Sequence, residues 1–152
     1  MRKMLAIPAL VLCLVSGAPH SAGADDNLTT AGITFGAPSS LGVFVDERVG
    51  LSGGEILAFR AQAGIGGGEL SAGIWAVETL VGLRGAVVRT WGRPVGIEPG
   101  RTLVGASLEI GLPFASVHLG ALQPVAGGRA RATCFTWGLS IGIPINLDFT
   151  LI

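Results

Sequence analysis

The sequence predicts an all-β chain: an antiparallel up-and-down β-barrel of about eight strands behind an N-terminal export signal. Two observations predict it. Run after run alternates apolar with small or polar residues, as where Phe135, Trp137, Leu139, Ile141 and Ile143 interleave with Cys134, Thr136, Gly138, Ser140 and Gly142. Period two places the two sets on opposite faces of a strand. The second observation is the start of the chain, which has the three parts of a cleavable leader.

In that leader Arg2 and Lys3 form the positive end, Met4 to Val15 is apolar apart from Pro8, and Ala22-Gly23-Ala24 offers small residues to a signal peptidase. The apolar run of 12 residues falls short of the roughly 20 that cross a bilayer as a helix. Cys13 follows Leu12, which is too bulky to precede a lipoprotein cysteine, so no lipid anchor is expected. The expected division is 1–24 signal peptide and 25–152 a single barrel domain.

Composition narrows the function classes. Ten basic and ten acidic residues balance over the whole chain, and Arg2 and Lys3 belong to the leader. Lys3 is the only lysine, so the exported part is slightly acidic and carries no basic footprint for nucleic acid. Cys134 is the only cysteine beyond the leader, which excludes an intramolecular disulfide. With His118 it makes two zinc-type ligands where a structural site takes four, so neither metal nor cofactor is expected.

The elements follow in order. Asp25 to Thr30 is a polar lead-in. Ile33 to Phe35 and Leu41 to Val45 are short alternations around Gly36-Ala37-Pro38-Ser39-Ser40, a cluster of turn formers that reads as a turn, or as a bulge in one longer strand. Leu57, Phe59, Ala61, Ala63 and Ile65 then lie opposite Arg60, Gln62, Gly64 and Gly66. Leu70, Ala72, Ile74 and Ala76 lie opposite Glu69, Ser71 and Gly73, and Val81, Leu83, Gly85 and Val87 opposite Gly82, Arg84 and Ala86. Val104, Ala106, Leu108, Ile110 and Leu112 face away from Gly105, Ser107, Glu109 and Gly111. Ala115, Val117, Leu119 and Ala121 do so from Ser116, His118 and Gly120.

Breakers fall between the runs: Pro94 and Pro99 within Gly92 to Arg101, Pro113 between Leu112 and Phe114, and Pro124 ahead of Ala126-Gly127-Gly128. Proline cannot donate to a ladder and is excluded from central strands; Pro144, inside the last run, is the exception. Connections alternate backward from the last strand: long (Leu122 to Ala130), short (Leu112 to Phe114), long (Gly92 to Arg101), short (Glu78-Thr79). Short turns at one end and longer loops at the other are the habit of outer-membrane barrels. Gly66-Gly67-Gly68, short on the loop side, and Glu47 to Gly54, long on the turn side, depart from it.

The second face decides what the apolar face meets. It is mostly Gly, Ser and Ala, with few charges and no lysine. A sheet surface in water carries many Lys, Glu and Thr residues, partly to block edge pairing. Small residues suit the inside of a narrow barrel, which turns the apolar face toward lipid. The alternative is a soluble periplasmic or secreted β-domain that binds a ligand or partner, with the apolar face as its core.

From about Ile33 to Ile143 the pattern resembles the small eight-stranded outer-membrane β-barrel proteins, without a family-specific motif. Those proteins typically end on an aromatic residue, whereas this chain ends Phe149-Thr150-Leu151-Ile152, which leaves Phe149 or Leu151 to serve barrel insertion. With no tyrosine, an interfacial aromatic girdle rests on Trp75, Trp91, Trp137 and the six phenylalanines. The resemblance implies an outer-membrane location with lipid as partner. It also implies a non-enzymatic barrel with a filled lumen and a structural or surface-binding role in the envelope. The loops 92–101 and 122–130 would meet any surface partner, because loops on a rigid scaffold carry recognition.

The candidate lumen cluster is Arg60, Gln62, Arg84, Glu109 and His118, with Ser107 and Ser116 beside it. A symmetric hairpin around Gly92 to Arg101 places Arg84 directly opposite Glu109, with His118 one strand further. Opposite charges across a ladder attract, and an unpaired charge in a closed interior is costly. The cluster therefore reads as a polar plug that specifies register, with an ion path as the functional alternative. Ser116-Val117-His118 is set against some eight-stranded lipid A deacylases, which use a His and a Ser on a strand. Here the order is reversed, the pair points inward and only Glu109 is available to orient the imidazole, so no catalytic residue is assigned. Gly64 to Gly68 lacks a following helix and a Lys-Ser/Thr, and reads as a hairpin rather than a phosphate loop. Asn27-Leu28-Thr29 is a formal sequon in a bacterial-looking chain and is assigned nothing; Cys134 reads as a small buried residue.

N-terminal sequencing of exported protein should begin at Asp25 or within a few residues of it; a retained Met1 would overturn the leader.

Overall fold

Alternation carried over ten or more residues makes each strand long enough to form a wall. The structure is a computed structural model that describes residues 28–51, 55–76, 78–128 and 132–145. The expected leader and the C-terminal Phe149 and Leu151 lie outside the described residues. Eight strands form: β1 (Leu28–Ala37), β2 (Ser40–Gly50), β3 (Glu55–Gly64), β4 (Gly67–Ala76), β5 (Val81–Thr90), β6 (Thr102–Leu112), β7 (Ala115–Ala126) and β8 (Cys134–Pro144). Each pairs antiparallel with the next, and β8 pairs back to β1, so the sheet is a closed up-and-down barrel. Closure removes the two edges that an open sheet would expose.

Two connections differ from their expected form. Glu47 to Gly54 is not a long turn, because β2 continues through Asp46, Glu47 and Arg48 to Gly50. The alternation Phe44, Asp46, Arg48 against Val43, Val45, Glu47, Val49 simply persists, with Asp46 and Arg48 on the inner face. Leu122 to Ala130 is not all loop either, since β7 runs past Pro124 to Ala126. The ladder slips at Thr102/Leu103, where Leu103 pairs with Pro124, and a proline is tolerated at such an irregularity. One end of the barrel thus carries only short connections, 51–54, 77–80 and 113–114. The other carries the turns 38–39 and 65–66, the loop 91–101 and the connection from β7 to β8.

The inner wall mixes large side chains with glycines directly across the ladder. Phe44 stands opposite Gly32, Arg84 opposite Gly73, Trp75 and Glu109 opposite Gly82, and His118 opposite Gly138. A Cβ on Gly82 would sit 2.3 Å from the Trp75 ring, and one on Gly138 would sit 2.2 Å from the His118 ring. Glycine on the inner face makes room for a neighbour's bulk in a narrow barrel. Trp75 and Phe44, both 2 % exposed, are therefore lumen residues and not part of an outer girdle. Phe135 and Trp137 do face outward.

Replacing Gly82 by valine should destabilise the barrel by about 1–3 kcal/mol through overpacking, measured by denaturant unfolding. The added Trp75→Ala change should recover part of the loss. Strict additivity would mean that the ring does not occupy the space beside Gly82.

Candidate functional site: the ion-paired lumen

The middle of the lumen is a knot of three arginines and two carboxylates. From β2, Asp46 meets Arg48 Nε at 2.8 Å, Arg84 Nη1 at 2.8 Å and Arg60 Nε at 3.4 Å. From β6, Glu109 meets Arg84 Nε at 2.5 Å, Arg60 Nη2 at 2.8 Å and Arg48 Nη2 at 3.8 Å. Asp46 and Glu109 are wholly buried, and the arginines nearly so. A charge this far from water persists only when paired and hydrogen-bonded, and here each carboxylate serves all three guanidinium groups. Since β2 and β5, and β3 and β6, are not neighbours in the sheet, these contacts span the lumen.

Hydroxyls and rings complete the layer. Ser116 Oγ donates to Glu109 Oε1 at 2.5 Å, Arg60 Nη1 donates to Ser140 Oγ at 3.2 Å, and Ser140 Oγ lies 3.3 Å from Thr34 Oγ1. The Arg48 guanidinium stacks 4.0 Å from the Trp75 ring centre and that of Arg60 4.7 Å from Phe44. Such cation–π contacts gain strength away from water. Nearby, Gln62 Nε2 reaches Ser39 Oγ at 3.2 Å and Glu69 Oε2 at 3.3 Å. Glu69 adds a third acid to the lumen.

All five residues of the sequence-derived cluster lie on the inner wall, but their register differs from the symmetric-hairpin expectation. Arg84 pairs with Ser107, and Glu109 with Gly82. The ladder closes around Trp91–Arg101 two residues out of the assumed register, with Thr90 and Arg101 bonded at the loop base. An even shift leaves every side chain on its own face, and Arg84 reaches Glu109 diagonally. His118 stands directly opposite Glu109, yet its Nδ1 has no partner. The Ser116 hydroxyl is held by the carboxylate and not by the imidazole, so a serine nucleophile with a histidine base is not assembled here. Among the described residues no three His, Cys, Asp or Glu side chains group to hold a metal ion.

Sequence reasoning missed Asp46, Arg48, Trp75, Phe44 and Glu69. The signal is present for all five: each occupies the small-residue parity of its run, and Asp46 and Arg48 continue the alternation of β2 beyond Val45.

Above the ionic layer the mouth is covered. Trp91 N and Arg93 N donate to Gly66 O and Ile65 O, Val95 N donates to Pro38 O, and Ser40 Oγ donates to Arg93 O. The Trp91 indole N–H reaches Gly64 O at 3.0 Å, and Arg101 pairs with Glu98. These bonds fold the 91–101 loop over the two tight turns. Beneath it Ala86, Val88, Leu103 and Leu122 form a small buried apolar cluster, with Ile97 and Cys134 packed against it. Comparison with known proteins finds no matching family model, no matching curated protein and no matching solved structure.

Arg84→Ala and Glu109→Ala should each cost about 3–5 kcal/mol by stranding buried charge. Together they should cost less than the sum, with a coupling of about 0.5–3 kcal/mol. Additive losses in denaturant unfolding would mean that the two groups do not interact.

Proposed function

We propose that this chain is a non-enzymatic outer-membrane β-barrel with a closed lumen, serving a structural or surface-binding role in the envelope. One observation carries the reading: the polarity of the molecule is inverted. Asp46, Arg48, Arg60, Arg84 and Glu109 are packed inside, while large apolar side chains stand exposed on the outside of all eight strands. Ile33, Val43, Leu83, Leu119, Ile141 and Ile143 are each more than half exposed. Soluble monomers rarely expose a contiguous apolar patch beyond about 300–600 Å², and a belt around a whole barrel needs hydrocarbon against it.

The dimensions support the same reading. The strands are 10 to 12 residues long, against roughly 9–11 for a strand that crosses a bilayer. Short connections at one end and the two long loops at the other fit a periplasmic and an external side. Export by the expected leader would deliver the chain there. An eight-stranded barrel filled by arginine–carboxylate pairs has no room for an aqueous path, which moves function to the outer wall and the loop end. Recognition would then rest on 91–101 and 127–133.

Membranes washed with alkaline carbonate should retain the processed protein. Leu108→Arg, on the outer wall, should impair insertion by about 2–4 kcal/mol at mid-bilayer. Ser107→Arg, pointing inward, should fold poorly by crowding the lumen. A wild-type protein that stays soluble without detergent, together with tolerance of Ser107→Arg, would end this proposal.

A further inference from the structure

The barrel is closed unevenly at its loop end. The β1–β8 ladder stops at Ala37 opposite Trp137, while the β7–β8 ladder continues to Leu122 opposite Cys134. Cys134, Phe135 and Thr136 are therefore held by β7 but have no β1 residue beside them. A partly open cavity of about 270 Å³ lies at this gap. Its floor is Leu103 and Leu122, both buried, and its roof is Val95 and Ile97 of the 91–101 loop. The roof is fixed by the bond from Val95 N to Pro38 O at 3.1 Å. Thr133, Cys134 and Thr136 edge it with weakly polar groups, and among the described residues no charged side chain lines it. Phe135, 84 % exposed, stands at its side on the outward face.

We propose that this cavity is a side-entry seat for the alkyl tail of a single-chain amphiphile. The floor and roof are aliphatic, the polar edge suits a hydroxyl or carboxyl head, and the gap lies beside Phe135 of the apolar belt. Entry from hydrocarbon rests on the membrane reading above. At roughly 30 Å³ for each water-sized group, the volume takes a tail of about nine carbons. The ionic layer seals the lumen below, so the seat is a dead end and not a channel.

Cys134 reports occupancy, because it lines the seat and is the only cysteine after the leader. A small methanethiosulfonate reagent should label it both in phosphatidylcholine vesicles and in a lipid-free amphipathic polymer. At ten times its dissociation constant 1-decanol should slow labelling about tenfold, and each methylene removed should weaken binding about fourfold. Val95→Trp, a change in the exposed loop, should fill the seat and abolish the response to decanol. Labelling that is slow in vesicles and fast in polymer assigns the tail to bilayer lipid. Labelling that is fast in both until decanol is added assigns it to a free amphiphile. Decanol without effect, or a thiol unreactive throughout, overturns the proposal. A chain that did not insert into vesicles would defeat the membrane reading, while labelling in polymer would still decide the seat.

Discussion

Three arginines held away from water are the constraint on which this barrel depends. Arg48, Arg60 and Arg84 cannot shed their charge, so each must find a carboxylate within a closed interior. Asp46 and Glu109 supply it from opposite sides, each within 4 Å of all three guanidinium groups. An apolar filling of the same shape would be about as stable, since desolvation offsets much of the attraction between buried charges. What the charges add is a distinction between faces. A one-residue slip of any strand turns its inner set outward. Here that slip would move Asp46, Arg60 or Glu109 from partnered contacts to the apolar exterior. A lumen lined with leucine would impose no such penalty on a chain whose outer wall is also apolar.

Slips of two residues preserve facing, and charge alone discriminates among them poorly because long side chains reach diagonally. Steric fit does better. Trp75 fits beside Gly82, His118 beside Gly138 and Phe44 opposite Gly32, and moving these rungs by two sets each ring against a side chain where a glycine had been: Arg84 for Trp75, Thr136 or Ser140 for His118, Thr30 or Thr34 for Phe44. The inner wall thus uses two codes, polarity for the face and glycine for the rung. The glycine-rich second face has its explanation there: these residues are the cavities into which the few large ones fit.

The barrel was legible because period two is a long-range signal that survives local ambiguity. The alternation from Phe135 to Ile143 yields the face of every residue in β8 before anything is known of its neighbours. Boundaries were less legible. Asp46-Glu47-Arg48 reads as a polar turn until the lumen partners of Asp46 and Arg48 are known, and Pro124 reads as a breaker until the ladder slip opposite it is seen. The pairing of Arg84 with Glu109 depended on loop symmetry, which sequence does not encode; only parity was transferable, and parity was enough to bring the side chains into contact. Trp75 shows the reverse failure. Aromatic content pointed to an interface, whereas its parity, shared with Ser71 and Gly73, already placed it inside.

The lumen is divided along its axis, and the division bears on function. Toward the short turns it is charged and cross-linked by ion pairs from β2, β3, β5 and β6. Toward the loops it is mixed: Val88, Leu103 and Leu122 pack beneath the 91–101 loop, while Gln62 with Glu69, and Thr90 with Arg101, hydrogen-bond at the same end. The ionic half ties non-adjacent strands together and resists deformation, because moving one arginine disturbs both carboxylates. Around Val88, Leu103 and Leu122 the contacts are non-directional, and the β8 residues at that end lack a β1 neighbour. A side chain of that apolar cluster can therefore shift without stranding a charge. The charged base is thus the rigid part of the lumen, and the small apolar cluster beneath the loop is the part that can adjust.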